Sequence, residues 1–405
     1  MIQGILHIFF LVLFIYMAIN TLYFFVTAVA GKLYRPKIYQ TQPGKQRIAV
    51  LIPTYKEDEV ILNTARKAKT HDYPEAYFDV FIAADQLQPA TIEQLRAIPV
   101  HVMEVQFEIS SKARSLNYLL NNIPEDQYDI AIIVDGDNIM MPGCLEKVNA
   151  AFNSGFRAAQ CHRIAKNKNT PVAVLDAMSE EINNNIFRRG QRALGFSSNT
   201  IGSGMAFEFK KLKEIYNKPG ILGNPACDRE VDFETMKADI CIEFIEDAYV
   251  LDEKVSSRAV YQRQRTRWLE SQIIHLRLFF DKKSGPLPKT RDYWNKLFSN
   301  LAPPRLLFLL VYFVIFVVYG IEYITKFSIL YPPYIYWFTI TVMYVLVFIV
   351  SLPRNFYSWS TVKALSHVPA LAFSIIKALF SMKVSRKEFL HTPKAFTQDG
   401  ATEHS

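Results

Sequence analysis

The sequence of 405 residues is poor in cysteine and has no C-x-x-C pair. Cys144, Cys161, Cys227 and Cys241 are far apart along the chain, which argues against a zinc site or a disulfide framework and is typical of a reducing compartment. The formal net charge is +8, but lysine and arginine flank apolar segments and do not cluster in one stripe. We therefore expect no nucleic-acid partner. Internal repeats and low-complexity segments are also missing.

Aspartate, glutamate, lysine and arginine are absent from residues 5–30, an apolar run long enough to span a bilayer. Residues 28–30 resemble a signal-peptidase site, but no basic segment precedes the run, and it exceeds the usual hydrophobic region of a signal peptide. We therefore predict an N-terminal transmembrane helix over residues 1–31. Basic residues follow from Lys32 to Arg47, so the positive-inside rule predicts a cytoplasmic domain at an inner or plasma membrane.

The last third of the chain is again apolar, and we expect transmembrane or interfacial helices over residues 304–382. Residues 306–324 and 331–352 are long enough to span a bilayer, whereas 366–382 is short and contains Lys377. This segment either spans the membrane or lies in its interface. Charge favours the interface, which keeps a tail at 383–405 in the cytoplasm. Tyrosine and tryptophan beside lysine at 291–301 indicate that residues 256–300 form interfacial helices.

Short β-branched runs alternate with helical segments between residues 45 and 255. Strands are predicted at 48–53, 78–84, 100–105 and 130–134, and helices at 60–69, 112–120 and 171–193. This alternation is typical of an α/β domain with a mainly parallel sheet between two layers of helices. We further expect residues 154–164 to return to the edge of the sheet.

Carboxylates follow several of these strands. Glu57, Asp85, Asp135 and Asp137 lie just past predicted strand ends, and ligands of such sheets bind at the carboxyl ends of the strands. We expect the four side chains to converge on one crevice. Two carboxylates flanking a glycine at 135–137 can hold a hard divalent cation that keeps open positions for diphosphate oxygens. A D-x-D turn alone is common by chance, but the buried strand before it favours a site.

Gln264, Arg267 and Trp268 fall on one face of a predicted helix. Glutamine and arginine offer donors to phosphate or sugar oxygens, and tryptophan offers a flat apolar face to a sugar ring. A basic amphipathic helix at a membrane surface is the alternative interpretation. One helix can have both properties.

Taken together, these motifs resemble the family 2 glycosyltransferases with membrane-embedded synthase architecture. That group includes cellulose, hyaluronan, chitin and poly-N-acetylglucosamine synthases, and ceramide glucosyltransferase is a related type. The matching segments are 52–57, Asp85, 112–117, 135–137, 202–204, 264–268 and 389–394. Three positions depart from the family pattern: Lys56 replaces an asparagine, Ala84 replaces an acid, and Cys227 replaces the glutamate before Asp228.

The resemblance implies a GT-A domain over residues 45–255 and inverting transfer from a nucleotide-diphospho-sugar, expected to be a UDP-sugar, without a covalent intermediate. It makes Asp228 the general base, although Glu230 and Asp232 are close enough to leave this assignment open. It also implies that Asp135 and Asp137 hold Mg²⁺ or Mn²⁺.

The resemblance implies further site residues. Arg267 would stabilise the leaving diphosphate, and Gln264 and Trp268 would bind the terminal sugar of the acceptor. The residues expected to contact the nucleotide are Thr54, Glu57, Asp85, Lys112, Asp135, Thr392 and Lys394.

Three functions remain open for an integral membrane protein of this kind. Our main expectation is that it extends a polysaccharide, secreted through its own helices with or without an accessory subunit. Trp268 and the segment at 389–394, which resembles a loop that closes over the nucleotide, favour this function, whereas the small number of predicted spans weakens it. The protein could instead add one sugar to a lipid or lipid-linked acceptor. It could also be a non-catalytic scaffold, but the intact acids at 135, 137 and 228 argue against that function.

Overall fold

The computed structural model of the chain describes residues 2–39, 44–218, 220–224 and 226–382. Within these residues, eight strands form one sheet with the order β3-β2-β1-β4-β7-β6-β8-β5. The strands are β1 (Ile48–Tyr55), β2 (Phe78–Asp85), β3 (His101–Val105), β4 (Ile130–Ile133), β5 (Ile139–Met140), β6 (Ala158–Ala165), β7 (Met205–Glu208) and β8 (Ile242–Asp252). The block β3-β2-β1-β4 is parallel, as is the pair β6-β8. Both neighbours of β7 are antiparallel to it, and β5 is antiparallel to β8. The sheet is therefore mostly parallel.

The prediction that residues 154–164 lie at the sheet edge is wrong. Strand β6 lies between β7 and β8, and the edge strands are β3 and β5. The sequence pattern misleads here because the interior strand contains Gln160, a polar residue. Its side chain is completely buried and donates hydrogen bonds to the carbonyls of Cys161 and Ser203, both at 2.9 Å. A polar group satisfied in this way can be buried without a large free-energy cost.

Strand β1 is apolar on both sides, as expected for a sheet whose two faces are both covered by helices. Ile48, Val50 and Ile52 pack with one layer of helices, and Ala49 and Leu51 pack with the other. The first layer contains α2 (Asp58–Lys69), α3 (Pro89–Arg96) and α5 (Cys144–Asn153), and the second contains α4 (Lys112–Asn122), α8 (Phe209–Tyr216) and α9 (Cys227–Lys237). Between α5 and α8 in the sequence, α6 (Pro171–Asn184) continues through a π-helical segment, Asn185–Gly190, into α7 (Gln191–Ala193). This matches the helix predicted over 171–193.

Within the described ranges, three helices are long and apolar enough to cross a membrane: α1 (Ile2–Leu33), α12 (Arg305–Thr325) and α13 (Tyr334–Ser351). A fourth candidate exists only if α14 (Trp359–Leu365) and α15 (Val368–Ser381), bent by 46°, form one span. The remaining helices, α10 (Arg258–Leu278) and α11 (Arg291–Leu301), precede α12 in the sequence. Aromatic side chains of the three long helices, including Phe24, Phe308, Trp337 and Tyr344, are buried in a shared core.

Helix α1 is longer than a bilayer requires. Its 32 residues extend about 48 Å at the helical rise, whereas the hydrocarbon core is about 30 Å thick. Its carboxyl-terminal half packs against the π-helical segment that follows α6. There Asn185 donates to the carbonyl of Ala28 at 2.9 Å, and a Cβ on Gly190 would collide with the carbonyl of Thr27. The absent side chain at 190 thus lets α1 approach the sheet domain.

We expect Gly190→Ala to destabilise the protein by about 1–3 kcal/mol, because the added methyl group must push α1 away from a well-packed contact. The measurement is thermal unfolding of both forms in the same detergent. Gly320→Ala in α12 is the matched control, since no atom lies within 4 Å of a Cβ built there. Equal loss of stability in both variants would show that the contact at 190 is not limiting.

Candidate active site

A cavity of about 410 Å³ lies at the carboxyl ends of β1 and β4, beneath helix α10. It brings together nine of the twelve predicted site residues, namely Thr54, Glu57, Lys112, Asp135, Asp137, Asp228, Gln264, Arg267 and Trp268, and also Asp232. Asp85 is not among the lining residues, and Thr392 and Lys394 lie outside the described part of the chain. Asp85 pairs in register with Tyr55 at the same edge of the sheet, where its carboxyl group is buried. Burial raises the pKa of Asp85, although Ser110 and Lys56 act in the opposite direction.

The D-x-D turn begins directly after strand β4 and is held in place by its neighbours. The hydroxyl of Ser203 accepts from the backbone N–H of Asp135 at 3.1 Å. A Cβ on Gly136 would collide with the carboxylate of Glu57, so the glycine lets Glu57 and Thr54 pack against the turn. Asp137 is only 3% exposed. The sequence of the turn therefore places two carboxylates at fixed positions in the cavity wall.

Lys112 joins the turn to the segment at 202–204. Its ammonium group forms an ion pair with Asp135 and donates to the carbonyl of Gly202 at 2.7 Å. Burial alone would lower the pKa of Lys112, but Asp135, Cys227 and Asp228 raise it above its ordinary value overall. Lys112 is therefore positively charged at neutral pH in the wall of the cavity.

The two carboxylates of the turn fit a divalent cation only in part. Across the described residues, no group of three histidine, cysteine, aspartate or glutamate side chains is arranged to hold a metal. Mg²⁺ and similar ions commonly use one or two protein carboxylates and complete their coordination with water and substrate phosphates. Asp135 and Asp137 supply that number of hard oxygen ligands. A metal here would thus depend on a phosphate-bearing substrate.

Helix α9 carries three acids that differ in their surroundings. Asp228 lines the cavity and, among the described residues, has no ion-pair partner. Asp232 also lines it but accepts from the ammonium group of Lys296 at 2.7 Å, and Lys296 is 2% exposed. Glu230 is not a lining residue and accepts from Asn224 at 3.0 Å. Asp228 is therefore the acid of this helix that is best placed to meet a ligand.

Helix α10 forms the opposite wall. Burial lowers the pKa of Arg267, and the charges of Asp228 and Asp135 partly oppose that effect. The guanidinium thus lies within electrostatic reach of both carboxylates. Arg265 stacks over the ring of Trp268 at 4.1 Å and forms an ion pair with Asp176. These contacts fix the tryptophan at the rim of the cavity.

Sequence reasoning missed a set of buried charges at the far end of the cavity. Glu180 accepts from Arg163 at 2.8 Å and lies 3.5 Å from the ammonium group of Lys254 and 3.8 Å from the guanidinium of Arg188. Burial raises the pKa of Glu180, but the three cations lower it far more, so the pKa lies well below its ordinary value. Strand β8 ends at Asp252, which bonds Lys254 at 2.6 Å. Asp252 and Lys254 could have been predicted from the sequence, because polar residues at the carboxyl end of a strand are expected near the site, and β8 ends at Asp252.

A second, mainly apolar cavity of about 1000 Å³ adjoins the first. Side chains of α6, α10 and α12 to α15 line most of it. Five residues line both cavities: Asn183, Phe187, Arg229, Trp268 and Ser299. The two cavities therefore share a wall in which Trp268 and Arg229 lie.

Comparison with known proteins gives both a family and a fold. The family model described as glycosyltransferase like family 2 matches residues 43–271, more than half of the chain. The structure is similar to the mannosyltransferase PcManGT from Pyrobaculum calidifontis, solved with GDP-Man and Mn²⁺. The TM-score is 0.59 at 13% identity, over 94% of this chain and 98% of that one. It is also similar to residues 1–349 of TarS from S. aureus, with a TM-score of 0.41 at 11% identity over 84% and 93% of the two chains. No curated protein matches the sequence.

The family match and the likeness to PcManGT confirm the predicted fold class. The chain has a GT-A-like α/β fold with a mostly parallel, curled sheet, together with helices apolar enough to span a membrane. At 13% identity the solved structure informs the fold alone.

Replacing Glu180 by glutamine should destabilise the protein by about 3–5 kcal/mol, because the change leaves buried cations without their carboxylate. The folded-state pKa of Glu180 is depressed, so its stabilisation is complete above its ordinary pKa of 4.5 and is lost as the pH falls below that value. Thermal unfolding at several pH values measures both effects.

The control for Glu180→Gln is Glu104→Gln, which removes a carboxylate from an exposed ion pair with Arg96. Exposed pairs contribute little, so we expect a change below about 1 kcal/mol. If the two variants unfolded at the same temperature, the buried cluster would not be a major source of stability.

Proposed function

The chain belongs to glycosyltransferase family 2, and we propose that it is an inverting transferase that moves a sugar from a nucleotide-diphospho-sugar to an acceptor hydroxyl. One observation carries the proposal: Asp135 and Asp137, the cations Lys112 and Arg267, and the carboxylate of Asp228 all line a single cavity. Lys112 and Arg267, beside a turn that can hold a divalent cation, can bind a diphosphate. Asp228, which has no ion-pair partner among the described residues, can accept a proton. PcManGT was solved with GDP-Man, a donor of the same chemical class. We retain a UDP-sugar as the expected donor.

In the proposed reaction Asp228 accepts the proton of the acceptor hydroxyl as its oxygen attacks the anomeric carbon. The bond between that carbon and the diphosphate breaks in the same displacement, so no covalent enzyme intermediate forms. A carboxylate needs only hydrogen-bond reach for this role. Asp232 is less suited because Lys296 already holds it, and Glu230 lies away from the cavity wall.

Lys112 and Arg267 would stabilise the negative charge that develops on the leaving diphosphate. Fixed cations in a site shielded from water are effective because they need no reorganisation during the reaction. Asp135 and Asp137 would hold a divalent cation, Mg²⁺ or Mn²⁺, whose charge neutralises diphosphate oxygens when it is bound.

The remaining predicted residues complete the proposed donor site. Thr54 and Glu57 lie against the D-x-D turn, and Asp85 lies at the same sheet edge, where we propose that they contact the nucleotide. Thr392 and Lys394 stay predicted as part of a segment that closes over it.

For the acceptor, the geometry best supports a lipid-linked molecule. The large apolar cavity shares Trp268 and Arg229 with the site, so an acceptor could leave its hydrocarbon part in one cavity and place a hydroxyl in the other. A growing polysaccharide is the second candidate, because Gln264 and Trp268 offer a sugar-binding surface at the rim. Buried aromatic side chains fill the core between the three long helices, which argues against a polymer path there.

We propose that residues 45–255 form the transferase domain at the cytoplasmic face of an inner or plasma membrane. Residues 1–31 and 304–382 would provide membrane or interfacial helices, and 256–300 would lie at the interface. Lys32, Arg35 and Lys37, directly after the apolar part of α1, support this orientation through the positive-inside rule.

The function can be tested with the purified full chain in lipid nanodiscs, supplied with a panel of radiolabelled UDP- and GDP-sugars. Lipid extract and oligosaccharides serve as the two acceptor classes. We expect one donor to label an organic-soluble product that carries one added sugar, with Mg²⁺ or Mn²⁺ present and not with EDTA. A long water-soluble product would select the polysaccharide function. Absence of transfer from every donor to both acceptor classes, with metal present, would contradict the proposal.

Asp228→Asn tests the base directly. We expect kcat to fall by a factor on the order of 10²–10⁴, the usual contribution of general base catalysis, while donor binding stays within a factor of about two. Asp239→Asn is the control, since Asp239 is exposed beyond the end of α9 and has a φ of 54° that asparagine also adopts. If turnover were unchanged in Asp228→Asn, Asp228 would not be the general base.

A further inference from the structure

Three arginines line the mainly apolar cavity between α6, α10 and the helices α12 to α15: Arg229, Arg265 and Arg305. Guanidinium groups are costly to bury unless a carboxylate or another anion compensates them. The partners of each arginine therefore indicate what the cavity is built to hold.

Arg265 is compensated within the protein. It forms an ion pair with Asp176, and its guanidinium stacks on Tyr261 at 4.5 Å and on Trp268 at 4.1 Å. This arginine already has an anionic partner and two aromatic surfaces.

Arg305 and Arg229 differ from Arg265, because among the described residues their side chains donate hydrogen bonds to neutral acceptors. Arg305 donates to the amide oxygen of Asn183 at 2.7 Å and to the carbonyl and hydroxyl of Ser179 at 3.1 and 3.2 Å. Arg229 donates to the amide oxygen of Asn300 at 3.0 Å. Neither has a carboxylate within 4.0 Å in the part of the chain that is described.

The electrostatic surroundings of Arg229 also indicate that its positive charge is only partly compensated within the protein. Burial lowers its pKa, and Asp228 and Asp232 oppose the shift only in part. Since arginine stays protonated in proteins, the cavity wall keeps this positive charge at neutral pH. A negatively charged ligand would lower the free energy of both guanidinium groups.

The position of the two arginines relative to the apolar surface defines the kind of anion. Leu306 and Leu309 follow Arg305 along α12, and Leu175, Met178 and Ile182 of α6 face the same space. Arg229 lies in the wall shared with the catalytic cavity and is the neighbour of Asp228 in the sequence. A ligand that satisfies the whole cavity therefore has a hydrocarbon chain, an anionic group beside it, and a polar end toward Asp228.

We propose that this cavity binds a lipid whose headgroup carries a phosphate, with Arg229 and Arg305 as the phosphate-binding residues. The hydrocarbon chain occupies the space between α6 and α12 to α15, and the part of the headgroup beyond the phosphate enters the catalytic cavity past Trp268. Naming this lipid as the sugar acceptor rests on the proposed function; the binding of an anionic lipid does not. Arginine is well suited to the role because its planar donors match phosphate oxygens.

The test uses the full chain in a neutral detergent and two probes that differ by one phosphate, 1-oleoyl lysophosphatidic acid and 1-oleoyl glycerol. Native mass spectrometry measures how much of each probe stays bound, without any sugar donor. We expect lysophosphatidic acid to bind at least about tenfold more tightly than oleoyl glycerol. A tenfold ratio corresponds to about 1.4 kcal/mol, which one charge-assisted contact can supply. Inorganic phosphate alone should not compete at the same concentration, because it gains nothing from the apolar walls. Equal binding of the two probes, or full competition by inorganic phosphate, would overturn the proposal.

Binding of the two probes to arginine variants tests where the phosphate lies. Arg229→Gln and Arg305→Gln should each weaken lysophosphatidic acid binding about tenfold and leave oleoyl glycerol binding unchanged, so retained binding of the neutral probe also reports correct folding. Arg263→Gln, an exposed arginine of α10 that lines neither cavity, is the matched control and should change nothing. Leu309→Trp should reduce binding of both probes by filling the cavity.

The outcomes separate this inference from the proposed function. Transfer activity with no preference for the phosphate-bearing probe would refute the phosphate site and leave the glycosyltransferase intact. Selective probe binding that Arg229→Gln and Arg305→Gln abolish, in a protein that transfers no sugar, would support the lipid site and refute the proposed function. If selectivity survived in both arginine variants, the phosphate would bind elsewhere and the assignment would be wrong.

Discussion

The buried ion cluster around Glu180 is the interaction on which both cavities depend. It joins helix α6 to the ends of β6 and β8 through Arg163 and Lys254. Burying one carboxylate among three cations is favourable only because their charges and hydrogen bonds are well matched, and removing one partner would leave the others uncompensated. Since α6 also supplies Met178 and Ile182 to the apolar cavity, the same cluster helps to position a wall of that cavity. The geometry of both cavities thus depends on this one set of contacts.

The two sides of this wall handle charge differently. On the catalytic side, cations meet carboxylates: Lys112 pairs with Asp135, and Lys296 pairs with Asp232. On the apolar side Arg265 pairs with Asp176, but Arg305 donates only to neutral oxygens among the residues that the structure describes. A site that holds a metal and a diphosphate needs balanced charges that a substrate can rearrange. A site that holds an anionic lipid needs a cation left for that lipid, which is the arrangement on the apolar side.

The sequence predicted the parallel strands and the convergence of Glu57, Asp135 and Asp137 on one cavity, because acids at the carboxyl ends of neighbouring strands must lie at one edge of the sheet. It could not predict the position of β6, since the partners that satisfy Gln160 come from the distant segment around Ser203. The pairing of Glu180 with Lys254 was hidden for the same reason, as it joins residues far apart in the chain. The apolar cavity arises only when α6, α10 and the last helices pack together, so no single stretch of sequence encodes it.

Helix α10 lines both cavities with different residues. With 3.6 residues per turn, Gln264, Arg267 and Trp268 face the catalytic cavity, whereas Arg265, Leu269 and Gln272 face the apolar one. One helix therefore forms part of the wall of both cavities. Trp268 of α10 lines both cavities and Asp228 of α9 lines the first, so the packing of α9 against α10 sets the distance from the apolar space to Asp228. An acceptor anchored by its lipid would then present to the base only those hydroxyl groups that lie at that distance from the phosphate, so the length of the headgroup would decide which molecules receive the sugar.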